Sequence, residues 1–125
     1  MLALEDRVFV NAYHLGAASP QDWRYTTSLF DFTGSEFKKR DEIEQLNGSM
    51  AVFGQVLLST GYDPSNYSDS ILTAVDFSNP TKLTLLGHYS LGGLYPVPAN
   101  GVGNATDGFW FPVDFNGVLH VDLPK

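Results

Sequence analysis

With 125 residues, 43% of them hydrophobic, 14% aromatic and 17% charged, the chain has the size and composition of one globular domain, able to bury about two thirds of its unfolded surface. Fourteen acidic residues against seven basic ones give a formal charge of −7, which repels phosphate backbones and anionic membrane surfaces and argues against nucleic-acid binding. The absence of cysteine removes disulfides, thiolate catalysis and cysteine-held zinc, and no apolar run approaches the ~18 residues of a membrane span.

The first apolar segment, Met1-Leu2-Ala3-Leu4, is followed by Arg7-Val8-Phe9-Val10. A connection from about Tyr13 to Tyr25 then leads to Ser28-Leu29-Phe30-Asp31-Phe32. The next stretch, Phe37 to Ile43, has a helical option, because Ser35 can cap it and Gly48 can end it. Its apolar residues Phe37, Ile43 and Leu46 fall on no single helical stripe, whereas Phe37 and Ile43 share a face at period 2, so a strand is predicted. Lys38-Lys39-Arg40, followed at once by Asp41, Glu42 and Glu44, reads as the charged, solvated edge that discourages pairing with stray chains.

The same order then recurs. Met50-Ala51-Val52-Phe53, Gln55-Val56-Leu57-Leu58, Thr73-Ala74-Val75-Asp76-Phe77 and Leu83 to Tyr89 form a second set, with a connection from Gly61 to Ser70 inside it. Leu94-Tyr95-Pro96-Val97, Gly108-Phe109-Trp110-Phe111 and Leu119-His120-Val121-Asp122-Leu123 form a third, its last two segments joined by a tight Asn116-Gly117 turn. The intervals from Asp31 to Asp76 and from Asp76 to Asp122 are 45 and 46 residues. Repeats of this length, rich in β-branched and aromatic residues, are the mark of stacked four-stranded units such as propeller blades. The expected fold is therefore all-β: one domain over residues 1–125, a β-propeller-like array of about three four-stranded antiparallel blades. The repeats span about 1–47, 48–92 and 93–125, the last blade lacking its outer strand. A β-sandwich of ten or eleven strands is the main alternative.

Val75-Asp76-Phe77-Ser78-Asn79-Pro80-Thr81-Lys82-Leu83, followed by Gly87, resembles the LVIVD-type repeat of secreted and surface β-propellers: a hydrophobic strand, Asp, a Ser/Pro turn, then a strand leading to Gly. The first repeat has Thr33-Gly34-Ser35 in place of the proline turn, and the third stops at Pro124-Lys125. The resemblance implies a fold and leaves the chemistry open, since propellers host many activities. Closed propellers have at least four blades. The expectation is a portion of a larger propeller, or a subunit whose ring is completed by a protein partner or further copies of the chain.

The three Asp residues, Asp31, Asp76 and Asp122, are read as structural, each positioned to accept backbone N–H groups from the turn after its strand. His14, His88 and His120 show no metal-ligand spacing, and no catalytic motif is present. In the connection from Gly61 to Ser70, Asp63, Asn66 and Asp69 offer oxygens suited to calcium, the one candidate cofactor. Length variation concentrates in the connections between second and third strands, which makes that end the expected binding surface. There the aromatic and cationic residues Tyr13, His14, Trp23, Arg24, Tyr25, Tyr62 and Tyr67 are suited to stacking on carbohydrate or anchoring a protein.

Asn47, Asn66 and Asn104 head Asn-x-Ser/Thr sequons, three of the seven asparagines, which points to a glycosylated, extracellular or cell-surface protein. Met1-Leu2-Ala3-Leu4-Glu5 is not a signal peptide. The leading functional expectation is a non-enzymatic extracellular binding or assembly module. The alternatives are a calcium-dependent propeller lactonase or hydrolase and a sugar-binding propeller.

Overall fold

Short runs of β-branched and aromatic residues, broken by tight turns, give the chain three successive antiparallel sheets. The computed structural model describes residues 2–14, 24–44, 48–63, 66–113 and 117–123. The first sheet contains β1 (Leu2–Leu4), β2 (Arg7–His14), β3 (Arg24–Phe32) and β4 (Phe37–Glu44), and the second β5 (Gly48–Phe53), β6 (Val56–Asp63), β7 (Asn66–Asp76) and β8 (Thr84–Ser90). The third contains β9 (Val102–Asn104), β10 (Gly108–Pro112) and β11 (Val118–Val121). Each is a plain meander in chain order, of four, four and three strands, so the fold is all-β and blade-like.

Matching features recur at matching places. The turns β1–β2 and β5–β6 each hold two residues, and the first has positive φ in both, 47° at Glu5 and 62° at Gly54. Asp31 lies opposite Arg7 and Asp76 opposite Val56, and one residue further on Phe32 N–H donates to Asp6 O and Phe77 N–H to Gln55 O. Both outer strands are bulged opposite the pair preceding the Asp, between Leu29 and Phe30 in one sheet and Ala74 and Val75 in the other. The extra residues are Arg40 and Leu86.

The core lies between sheets. Leu57 and Leu58 are adjacent on β6 and both have 0% exposure, yet they belong to different clusters. Leu57 and Val75 meet Phe9 and Leu29 of the first sheet, and Leu58, Leu72 and Ala74 meet Phe109, Phe111 and Val121 of the third. Successive strand residues point to opposite faces, so the second sheet is the middle layer of a stack. Edge-on aromatic pairs occur in both seams, Phe9 against Phe77 at 5.1 Å and Phe53 against Phe109 at 5.2 Å. Polar contacts tie the seam between the first two sheets. Asp41 Oδ2 accepts from Leu83 N–H at 2.7 Å, Arg7 Nη1 donates to Phe77 O at 3.3 Å, and Asn11 Nδ2 donates to Gly48 O at 3.1 Å.

Three sequence expectations are corrected. Phe37 and Ile43 do not share a face: the bulge at Arg40 shifts the register, so Phe37 stacks on Phe32 at the exposed end while Ile43 packs against the core. Leu94-Tyr95-Pro96-Val97 is not a strand, and the inner strand of the third sheet is Val102–Asn104. Pro96 lacks the N–H that a ladder needs. The connection from Gly61 to Ser70 is largely strand, since β6 runs to Asp63 and β7 starts at Asn66; the register jumps from Tyr62 opposite Ser70 to Asp63 opposite Asn66, and residues 67–69 bulge out.

Candidate functional site

Strand order places the β2–β3 and β6–β7 hairpins, and the starts of β1 and β5, so that the far end of the second sheet gathers β5's first residues, the end of β6 and the chain leaving β8. Gly48 and Gly61 are direct partners in the β5–β6 ladder, as are Ser49 and Thr60. A Cβ on Gly48 would run into the Thr60 carbonyl, so only glycine allows this approach. With no side chain on either glycine, the two strands come close here, Gly48 exposed and Gly61 buried.

Ser70, fully buried on β7, holds the opposite wall. Its N–H donates to Gly92 O at 2.9 Å, its carbonyl accepts from Leu91 N–H at 2.9 Å, and its hydroxyl donates to Leu94 O. These bonds fold residues 91–94 back over the sheet and deliver Tyr95, Pro96 and Val97 opposite Ser49 and Thr60. A 3-10 turn, Pro98–Asn100, then leads to β9, closed by Gly101 N–H donating to Pro98 O at 3.0 Å. The result is a cavity of about 300 Å³ lined by Gly48, Ser49, Thr60, Gly61, Tyr95, Pro96 and Val97. None of these residues is charged at neutral pH. Thr60 Oγ1 is buried and makes no hydrogen bond with any described residue.

The residues singled out in the sequence are distributed around this end. Tyr13 lies opposite Tyr25 and His14 opposite Arg24 in the β2–β3 ladder, which makes them hairpin residues. Tyr62 and Tyr67 lie on β6 and β7. The side chains of these six, and all of Trp23, fall outside the described residues. Of the calcium candidates, Asp63 and Asn66 are direct ladder partners, and Asp69 uses one oxygen on Ser70 N–H at 2.8 Å and the other on Ser90 Oγ at 2.7 Å. Among the described residues no group of three His, Asp or Glu converges to hold a metal.

The three matched Asp residues have three different partners. Asp76 accepts from Ser78 N–H at 2.7 Å, within the turn. Asp31 accepts from Arg40 Nε at 2.6 Å, across the bulge. Asp122 Oδ1 lies 3.4 Å from His120 Nε2. Both of those side chains pack over Gly108, whose added Cβ would come within 2.6 Å of each, and His120 stacks on Trp110 at 4.3 Å. Of the sequons, Asn47 lies outside the described residues and Asn66 starts β7. Asn104 builds its own turn, its Oδ1 accepting from Thr106 and Asp107 N–H and its Nδ2 donating to Asp107 Oδ2 at 3.0 Å. His88 Nδ1 lies 3.0 Å from the buried Thr73 hydroxyl.

The cavity residues Ser49, Thr60 and Tyr95 were not legible as a site. The segment containing Tyr95 reads as a strand until Pro96 is weighed. The usable signal was a glycine near the start of one strand and another near the end of the next, in a hairpin register that makes them partners.

Compared with protein-family models, curated proteins and solved structures, the chain matches none of them. Its class therefore rests on its own geometry: an all-β stack of three antiparallel sheets.

Proposed function

We propose that this chain is a non-enzymatic extracellular binding and assembly module, in which the third sheet is covered and extended by β-structure from a partner or another copy. One observation carries the reading. Each seam within the chain buries the same face of the earlier sheet: Phe9 and Leu29 in the first, Leu58 and Leu72 in the second, all at 0% exposure. The register of the Asp phrases makes Trp110 the counterpart of Phe9 and Leu58, yet Trp110 is 38% exposed and its face-mates Val102 and Val118 are 66% and 67% exposed. An apolar face of this kind marks an interaction surface.

The neighbouring edge supports the same reading. The third strands of the first two sheets, β3 and β7, are each covered by an outer strand, whereas among the described residues none pairs with the outer edge of β11. An uncovered strand edge is a template for pairing with another chain. The three sequons and the resemblance to LVIVD-type repeats support an extracellular setting.

Native mass measurement of the chain at about 10 μM tests the proposal, because association through this face makes the assembly concentration-dependent. The expected result is an oligomer that Trp110→Asp dissociates. A compact monomer that unfolds cooperatively and is indifferent to Trp110→Asp would sink the proposal.

A further inference from the structure

Taking the third sheet to be covered as proposed above, we infer that its cover is a second copy of this chain, joined head-to-tail: the Trp110 face of one copy seats on the outer face of the next copy's first sheet, around Phe32 and Phe37. Within the chain each seam has a projecting side and a receiving side. Phe9 projects in the first seam and Leu58 in the second. On the receiving side stands the residue that follows the matched Asp of the next sheet: Phe77 lies edge-on to Phe9 at 5.1 Å, and Leu123 shares a cluster with Leu58. Phe77 and Leu123 are 5% and 8% exposed. Leu83 joins Phe77 on the receiving side, in the same cluster and 4% exposed.

The first sheet carries the same receiving residues. Phe32 follows Asp31 as Phe77 follows Asp76. Phe37 precedes Lys38, the ladder partner of Asp31, as Leu83 precedes Thr84, the ladder partner of Asp76. Phe32 and Phe37 stack on each other at 4.9 Å, yet they are 40% and 62% exposed. Phe30, two residues before Phe32 and so on the same face, is half-buried where its counterpart Val75 is fully buried. Trp110, 38% exposed, is thus the unfilled projecting half of one joint, and the Phe32–Phe37 pair is the unfilled receiving half. Both halves lie on this chain, one on each outer sheet of the stack, which makes the chain complementary to its own copy. An unrelated partner would need only one of them. Setting Trp110 against Phe32 repeats the Phe9–Phe77 contact with another aromatic pair. Because the two faces differ, the joint is heterologous, and copies joined by it close into a ring or continue as a filament.

Sedimentation velocity and native mass over a concentration series of the intact chain read the association, in about 0.15 M salt to screen the net charge of −7. Phe37→Asp and Trp110→Asp are each expected to weaken it at least about 30-fold, the effect of removing an aromatic anchor. Val118→Lys, at another exposed position of the Trp110 face, should act as Trp110→Asp does. Cooperative urea unfolding checks that each variant is folded, and the exposure of Phe37 makes its replacement mild for the monomer. The mixture of Phe37→Asp with Trp110→Asp is decisive. Each retains the half that the other lacks, so the two, monomeric alone, should form a one-to-one dimer that grows no further. A Phe37→Asp variant that assembles like the parent, or a mixture that stays monomeric, overturns the inference. If Trp110→Asp still dissociates the parent in that case, the third sheet is covered by another part of a copy and the proposed function stands. If Trp110→Asp changes nothing, that reading falls as well.

Discussion

Leu57→Ala and Leu58→Ala test the layered core most directly, because two neighbouring residues are assigned to two separate seams. Both side chains have 0% exposure, and each substitution removes three carbons, about 2.4 kcal/mol of transfer free energy at ~0.8 per methylene. The cavity left behind raises the expected loss to about 3–4 kcal/mol for each. A domain of this length has a stability of about 10 kcal/mol, so either variant remains folded and the double variant approaches the threshold. Their partners do not overlap: Leu57 touches the cluster of Phe9 and Leu29, Leu58 that of Phe109 and Phe111. The losses should therefore add to within about 0.5 kcal/mol. Urea unfolding at fixed protein concentration gives the three values. Amide exchange locates them, Leu57→Ala loosening β2 and β3 before β10, and Leu58→Ala the reverse. A single variant costing under about 1 kcal/mol would remove its seam from the structure. Coupling well beyond the additive limit would mean one shared core and a sandwich in place of a stack.

Asp41→Ala should cost about 1–3 kcal/mol, because it strands the buried Leu83 N–H; urea unfolding and faster exchange at amide 83 check it, and Asp41→Asn should recover part of the loss. Tyr89 has its hydroxyl buried without a partner among the described residues, and desolvation raises its pKa above the ordinary value of about 10. Its raised value leaves stability unaffected below pH 10 and drains it as the pH climbs through the folded-state value, since the unfolded chain ionises first. Tyr89→Phe should therefore flatten the loss of stability above pH 10 in an alkaline titration while matching the parent at pH 7 to within about 1 kcal/mol. Gly108→Ala combines a φ of 91° with a Cβ that would lie 2.5 Å from Asp122 Oδ1. It should cost about 2 kcal/mol or more and lower Tm measurably, whereas Gly34→Ala, at φ 90° but in open space, should cost only the backbone strain of about 1 kcal/mol.

The order of elements was readable because each strand carries its own local signal. Met50-Ala51-Val52-Phe53 and Thr73-Ala74-Val75-Asp76-Phe77 are apolar runs bounded by turn residues; β5 contains the first, and β7 the second up to Asp76. Strand β9 escaped notice because Val102-Gly103-Asn104 consists mostly of turn formers and is held by its partner Gly108-Phe109-Trp110, a pairing no local window reports. The bulge at Arg40 escaped for the same reason. Its cause is a three-against-two match, Lys39, Arg40 and Asp41 against Leu29 and Phe30 on another strand, and it cancels the period-2 argument that placed Phe37 with Ile43. The cavity was harder still, since it depends on Ser70 clamping residues more than twenty positions away.

The internal repeat distinguishes the two sides of the third sheet, which neither composition nor any single sheet can do. Counting from the matched Asp residues, Phe9, Leu58 and Trp110 occupy one position in three successive units, and Val8, Leu57 and Phe109 the position beside it. Each seam joins the first kind of position on one sheet to the second kind on the next. Stacking of this sort is head-to-tail, and it ends only where a face changes character or meets another unit. At Trp110 the face turns from the apolar Phe9 and Leu58 to a Trp–His stack with Asp122 beside it, yet Val102 and Val118 keep it apolar. A terminal unit built for water carries a polar outer face. This face is only half converted, and its unconverted half is the part that association would bury.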